Sequence, residues 1–226
     1  MVSSVVSFLT EDGVTIVGDW YIGNAISDHA PVVLALHMMP ATKESWRPFV
    51  AVALNAGFGG VLAIDLRGHG ESRGGSTGLL NYRLFSDEQH QRSLEDVRAA
   101  LHWLGDTKKI SIVRVAIIGA SIGANLGIVI AAEQPDIHAV VALSPGLDYH
   151  GVHTLDAIKA LRSTQHLFLA ASAEDEDSAN AIDELSKWKT DAKTHRMTDA
   201  GHGTAIFLHK PEFMKTVADW LAEQML

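Results

Sequence analysis

The chain has 226 residues, 47% apolar and 20% charged, which suffices for a single α/β domain with a buried core and excludes disordered and fibrous classes. Its 18 Lys and Arg against 27 Asp and Glu leave a net charge of −9 with no basic run, so it lacks the electrostatic footprint of a nucleic-acid binder. No apolar stretch approaches the ~20 residues of a membrane span, "MVSSVVSFLT" lacks the positive flank of a signal peptide, and without cysteine any covalent chemistry needs another residue; the expected location is cytoplasmic.

Residues 3–9 and 14–22 are rich in β-branched and aromatic side chains and flank the turn "TEDG", which predicts an antiparallel hairpin at one edge of a sheet. From residue 31 the rhythm changes to short continuous apolar runs, at 31–37, 59–66, 113–119, 139–144 and 166–172, the mark of strands buried on both faces. Helix-like segments fall at 46–56, 87–104, 121–134, 178–189 and 212–224. The clearest is 87–104, where Leu94, Val97, Leu101 and Leu104 recur at spacings of three and four among charged neighbours. "KTHRM" (193–197) adds a strand-like stretch. Strand and helix alternate, which predicts a parallel sheet flanked by helices and joined by right-handed crossovers, in one domain over 1–226. The connection 144–165 shows no clear period and is too short for a substantial helical lid.

The apolar run 113–119 ends in "IGASIGANLG", with Ser121 between Gly119 and Gly123. The bare pattern GxSxG occurs by chance in roughly one chain in ten of this length, so its position decides. A serine between a strand and a helix, flanked by small residues, fits a strained turn that exposes a nucleophile. Such a serine needs a base, a group to orient the base, and donors for an oxyanion.

"MTDAGHGTAIF" supplies His202 between two glycines after a late strand, and the order nucleophile, acid, histidine is the one hydrolases of this architecture use. Other histidines read differently: His102 and His195 as surface residues of a helix and a strand, His150 and His153 as a pair without a third metal ligand. The acid is expected beyond the run ending at Ser172, where Glu174, Asp175, Glu176 and Asp177 follow. Asp175 is preferred, with Asp177 as second choice and as the cap of the next helix. For the oxyanion, the amide of Ile122 follows the nucleophile, and "LALHMMP" offers the amide of Met39 just past an early strand.

Taken together, these motifs resemble the α/β-hydrolase superfamily, specifically small bacterial serine esterase-like members with little or no lid. The resemblance spans nearly the whole chain. It rests on "LHMMP...ESW" (36–46), "AIDLRGHGES" (63–72), "IGASIGAN" (118–125), the acidic loop near Asp175, and "AGHG" (200–203). It implies a mostly parallel eight-stranded sheet with an N-terminal antiparallel hairpin, helices on both faces, a minimal cap, and no cofactor. For Asp65, Arg67, His69 and Ser72 it implies a loop-shaping role beside the site. Met38 stands where the family commonly has glycine; with His37 and Leu147 it is assigned to the substrate pocket. Dienelactone hydrolases share the fold but usually use cysteine, so Ser121 speaks against that activity.

The expected function is therefore cleavage of a small carboxylic ester through an acyl-enzyme on Ser121, His202 and Asp175, with short acyl groups favoured because little chain is available for a lid. The same machinery could serve a thioesterase, an amidase or peptidase, or a perhydrolase. A ligand- or partner-binding protein that keeps the fold without the chemistry is the alternative of another class.

Overall fold

The molecule is described from a computed structural model, which covers residues 2–23, 29–76 and 78–225. Eight strands build the main sheet: β1 (Val2–Leu9), β2 (Thr15–Ile22), β3 (Val32–Leu36), β4 (Gly60–Ile64), β5 (Val115–Ala120), β6 (Ala139–Leu143), β7 (His166–Ser172) and β8 (Lys193–Met197). Their spatial order is β1-β2-β4-β3-β5-β6-β7-β8. β1 pairs antiparallel with β2, and β2 with β4; every other neighbouring pair in this order is parallel. Two-residue strands at Gly74–Gly75 and Gly78–Leu79 extend the sheet beside Thr15, bringing it to ten strands.

Parallel strands need crossovers, and helices supply them: α1 (Arg47–Asn55), α2 (Asp87–Gln91), α3 (Ser93–Asp106), α4 (Ile122–Glu133), α5 (Leu155–Ala160) and α6 (Glu176–Trp188); α7 (Ala205–His209) and α8 (Phe213–Met225) follow the last strand. The alternation of a strand sends its side chains to two cores. Val32, Leu34, Leu36 and Ile117 pack with Val97 and Leu104 of α3, Leu126 of α4 and Ile182 of α6. Val33, Ala35, Ala116 and Ile118 pack with Phe49 of α1 and Val217 and Leu221 of α8 on the other face. Burial on both faces explains why β3 to β7 read as unbroken apolar runs. Helix α4 is apolar almost all round because it lies deep between β5, β6 and the neighbouring α3 and α5.

The segment 87–104, expected as one helix, is two helices that meet at Arg92. A single straight helix cannot serve both packing duties. His90 of α2 turns to Phe85 and His150, with ring centroids 5.3 and 4.3 Å away, while Val97, Ala100 and Leu104 of α3 face the sheet. The connection 144–165 contains α5 and a β-ribbon in which Asp148–Tyr149 pairs with Val152–His153. Among the described residues no helix is long and apolar enough to cross a membrane.

Two buried charge clusters fix the loop 65–72 to its surroundings. Asp65, fully buried, accepts from the Lys43 amide (2.8 Å), from Lys43 Nζ (3.0 Å) and from the Glu71 amide (2.9 Å). Burial would lower the Lys43 ammonium, but Glu71 and Asp65 outweigh it and hold its pKa above the ordinary lysine value. Arg67 donates from Nε to Asp96 (2.8 Å) and from both terminal nitrogens to Asp12 (2.7 and 3.0 Å). Ser72 Oγ accepts from the Val17 amide at 2.8 Å. Removing one member of a buried pair strands the other charge, so Asp65→Ala should cost about 3–5 kcal/mol, measured by urea unfolding against the parent. A loss under about 1 kcal/mol would show that Glu71 alone satisfies Lys43.

Candidate active site

Ser121 is the single residue between β5 and α4, with φ +54° and ψ −122°. A side chain larger than hydrogen rarely adopts this region, and the conformation costs of order 1–3 kcal/mol that the surrounding structure must hold. Several contacts hold it. The Ser121 amide donates to the Leu143 carbonyl of β6 at 2.8 Å, and its own carbonyl accepts from the amides of Ala124 and Asn125. Gly119 and Gly123 are required by close approach: a Cβ on the first would overlap the Gly123 carbonyl, and a Cβ on the second the Leu36 carbonyl. The second approach presses the start of α4 against the end of β3.

That contact brings two chain segments together. Ile122 carries the first amide of α4, one of the helix-start donors with no partner inside the helix. Met39 lies three residues past the end of β3, in the loop that Lys43 and Asp65 anchor. His37 is fully buried in the same loop. Its Nδ1 lies 2.9 Å from the Met38 carbonyl, and its Nε2 accepts from the Leu66 amide at 2.9 Å. Burial pushes this imidazole's pKa down, so it stays neutral and braces the loop from within instead of lining an open pocket. The Met38 thioether packs against Gly203, beside His202. Leu147 is 42% exposed, at the rim of the connection after β6.

The Asp175 carboxylate meets His202 Nδ1 at 2.7 Å. Their side chains are 16% and 39% exposed, so the pair is shielded on the acid side and open on the imidazole side. Asp175 also occupies the N-cap position of α6, which begins at Glu176, two residues before the expected start at 178, so that Asp177, expected as the cap, falls inside the helix. Its side chain makes no capping bond. The carboxylate is turned to His202, and the helix gives up a cap worth about 1 kcal/mol. Asp177 is exposed in the first turn of α6.

Two serines that the sequence reading passed over fasten the histidine loop. Ser172 Oγ accepts from the Ala200 amide at 3.0 Å, and Ser144 Oγ accepts from the Gly203 amide at 2.9 Å. Glu174 accepts from the Asp199 amide at 3.0 Å. Both serines are fully buried and end the apolar runs of β6 and β7, where a lone polar residue at a strand's carboxyl end was the available signal. Ser144 holds φ +50°, a second strained residue close to the first.

Other clusters do different things. His150 Nδ1 faces Asp87 at 3.2 Å and His153 Nδ1 faces Asp148 at 3.7 Å. Among the described residues no group of three or more His, Asp or Glu is placed to hold a metal ion. His102 is exposed on α3, and His195 on β8 stacks on Phe213 with centroids 4.8 Å apart. A cavity of about 330 Å³ opens between Val14, Arg67, Phe85 and Arg92, and none of Ser121, Asp175 and His202 lines it.

Residues 31–178 match the protein family described as alpha/beta hydrolase fold. Two uncharacterized proteins from strains of Mycobacterium tuberculosis are each 31% identical over 136 residues, covering 60% of this chain and 43% of theirs. The match thus spans less than half the length of those curated relatives. An esterase of Pyrococcus furiosus superposes with a TM-score of 0.77 at 23% identity, covering 100% of this chain and 94% of the other. A dienelactone hydrolase of Anabaena variabilis gives 0.75 at 20%, covering 99% and 96%. These structural likenesses establish a common fold.

Proposed function

The chain belongs to the alpha/beta hydrolase fold family, and on that premise we propose that it is a serine hydrolase cleaving small carboxylic esters with short acyl groups. The observation that carries the reading is the 2.7 Å contact of Asp175 with His202 Nδ1, in a chain whose Ser121 occupies a strained strand-to-helix turn. Ser121 Oγ attacks the ester carbonyl carbon while its proton passes to His202 Nε2, the ring nitrogen that Asp175 leaves available. Asp175 holds the imidazole's orientation and stabilises the imidazolium that forms. The amides of Ile122 and Met39 receive the oxyanion of the tetrahedral intermediate. As that intermediate collapses, His202 returns the proton to the departing alcohol. A water, deprotonated by His202, then attacks the acyl-enzyme and releases the acid, restoring Ser121.

Support for short acyl groups comes from the modest cover over this end of the sheet. The connection after β6 contributes a two-stranded ribbon and the six residues of α5. The test is labelling of the folded protein with a fluorophosphonate, whose phosphorus takes the place of the acyl carbon, followed by mass mapping of the adduct. The expected result is one adduct on Ser121. A folded protein that takes up none there overturns the covalent mechanism.

A further inference from the structure

Tyr149 sits on the β-ribbon after β6, paired with Val152 across it. Its hydroxyl lies 3.1 Å from Ser178 Oγ and donates to the Ser144 carbonyl at 3.4 Å. Its ring meets the His202 ring edge to face, with centroids 6.3 Å apart and planes at 86°. Gly146 makes room for it: a Cβ at that position would come within 2.8 Å of the Tyr149 ring. Burial raises the phenol's pKa against the opposing hydrogen bond with Ser178, so the hydroxyl is neutral. The ring is therefore pinned at its tip by Ser178 and Ser144, at its flank by Gly146, and faces the site.

The sheet order says which part of a substrate it would meet. β5, which ends at Ser121, runs between β3 and β6. Of the oxyanion donors proposed for the site, Met39 comes from the β3 side, and Ile122 from the start of α4, which Gly123 brings against the end of β3. In the planar acyl-enzyme, after the alcohol has departed, a carbonyl oxygen turned to Met39 on the β3 side directs the acyl chain away from β3, toward the β6 side where Tyr149 stands.

We infer that Tyr149 is a specificity-determining residue, the wall that ends the acyl pocket and limits the substrates to esters of short carboxylic acids. This rests on Ser121 as the nucleophile. A wall of this kind acts through volume. Removing it should therefore change chain-length preference, and removing only the hydroxyl should not.

The experiment compares kcat/KM for p-nitrophenyl acetate, butyrate and octanoate in the parent, Tyr149→Ala, Tyr149→Phe and Tyr149→Trp, with fluorophosphonate labelling of Ser121 in each. Tyr149→Ala should raise the octanoate to acetate ratio by about tenfold or more, since even one methylene in an apolar pocket is worth that much. Tyr149→Phe should keep the ratio within about threefold of the parent, and Tyr149→Trp should lower the butyrate to acetate ratio, so the inference remains testable if the alanine variant does not fold. If Ser121 is labelled and neither Ala nor Trp moves its ratio, or if Phe moves it as far as Ala, the wall is overturned while the serine mechanism stands. If the parent is not labelled at Ser121, both readings fall together.

Discussion

Ser121→Ala will lower ester turnover by about 10⁵ to 10⁶-fold while leaving the fold intact. The size follows from what is removed. Without Oγ no acyl-enzyme forms, and the only remaining route is direct attack by water on an ester held against the amides of Ile122 and Met39. Such a remnant still exceeds the uncatalysed rate by about 10³-fold, so the variant should be weak but not inert. Stability should hold or rise slightly, because Ala adds no bulk at a position where Ser already adopts φ +54°. Initial rates on p-nitrophenyl acetate with urea unfolding alongside decide it. Turnover within about tenfold of the parent would remove Ser121 from the chemistry.

Asp175→Asn should cost about 10⁴-fold in kcat with a small change in KM, whereas Asp177→Asn should stay within about twofold of the parent. Asp175 accepts from Nδ1, which keeps the proton there and leaves Nε2 free to take one from Ser121. An amide at position 175 can present its N–H to Nδ1 and stabilise the opposite tautomer, with the imidazole still in place and unable to act as base. Asp177 stands exposed in the first turn of α6, where its charge serves the helix start. Kinetics of the two variants on one ester separate the roles. A large loss in Asp177→Asn with little in Asp175→Asn would reverse the assignment.

The sheet was legible in sequence because burial on two faces leaves a strong local trace. "VVLAL", "GVLAI" and "AVVAL" are apolar at every position, as a strand covered on both sides must be. The hairpin of β1 and β2 was legible for the complementary reason, since β-branched residues flank a turn that ends in glycine. The split of 87–104 was not. The apolar spacing lies wholly within α3, from Leu94 to Leu104, and the polar residues 87–92 carry no period that would set a separate axis; the packing of His90 on Phe85 and His150 sets it.

Sequence by itself determined the fold class and the chain order in which Ser121, Asp175 and His202 occur, because glycines around a serine, an acidic loop and a glycine-flanked histidine are local patterns. The tertiary structure decided that Asp175, not its acidic neighbours, meets His202, since four adjacent carboxylates differ only in where the turn into α6 aims each one. It also decided what stands around the site. Ser144 and Ser172 bind the amides of a loop 59 and 28 residues away, and Tyr149 reaches Ser178 across 29. No local periodicity encodes such contacts, because they depend on the parallel sheet bringing the carboxyl ends of β5, β6 and β7 to one edge.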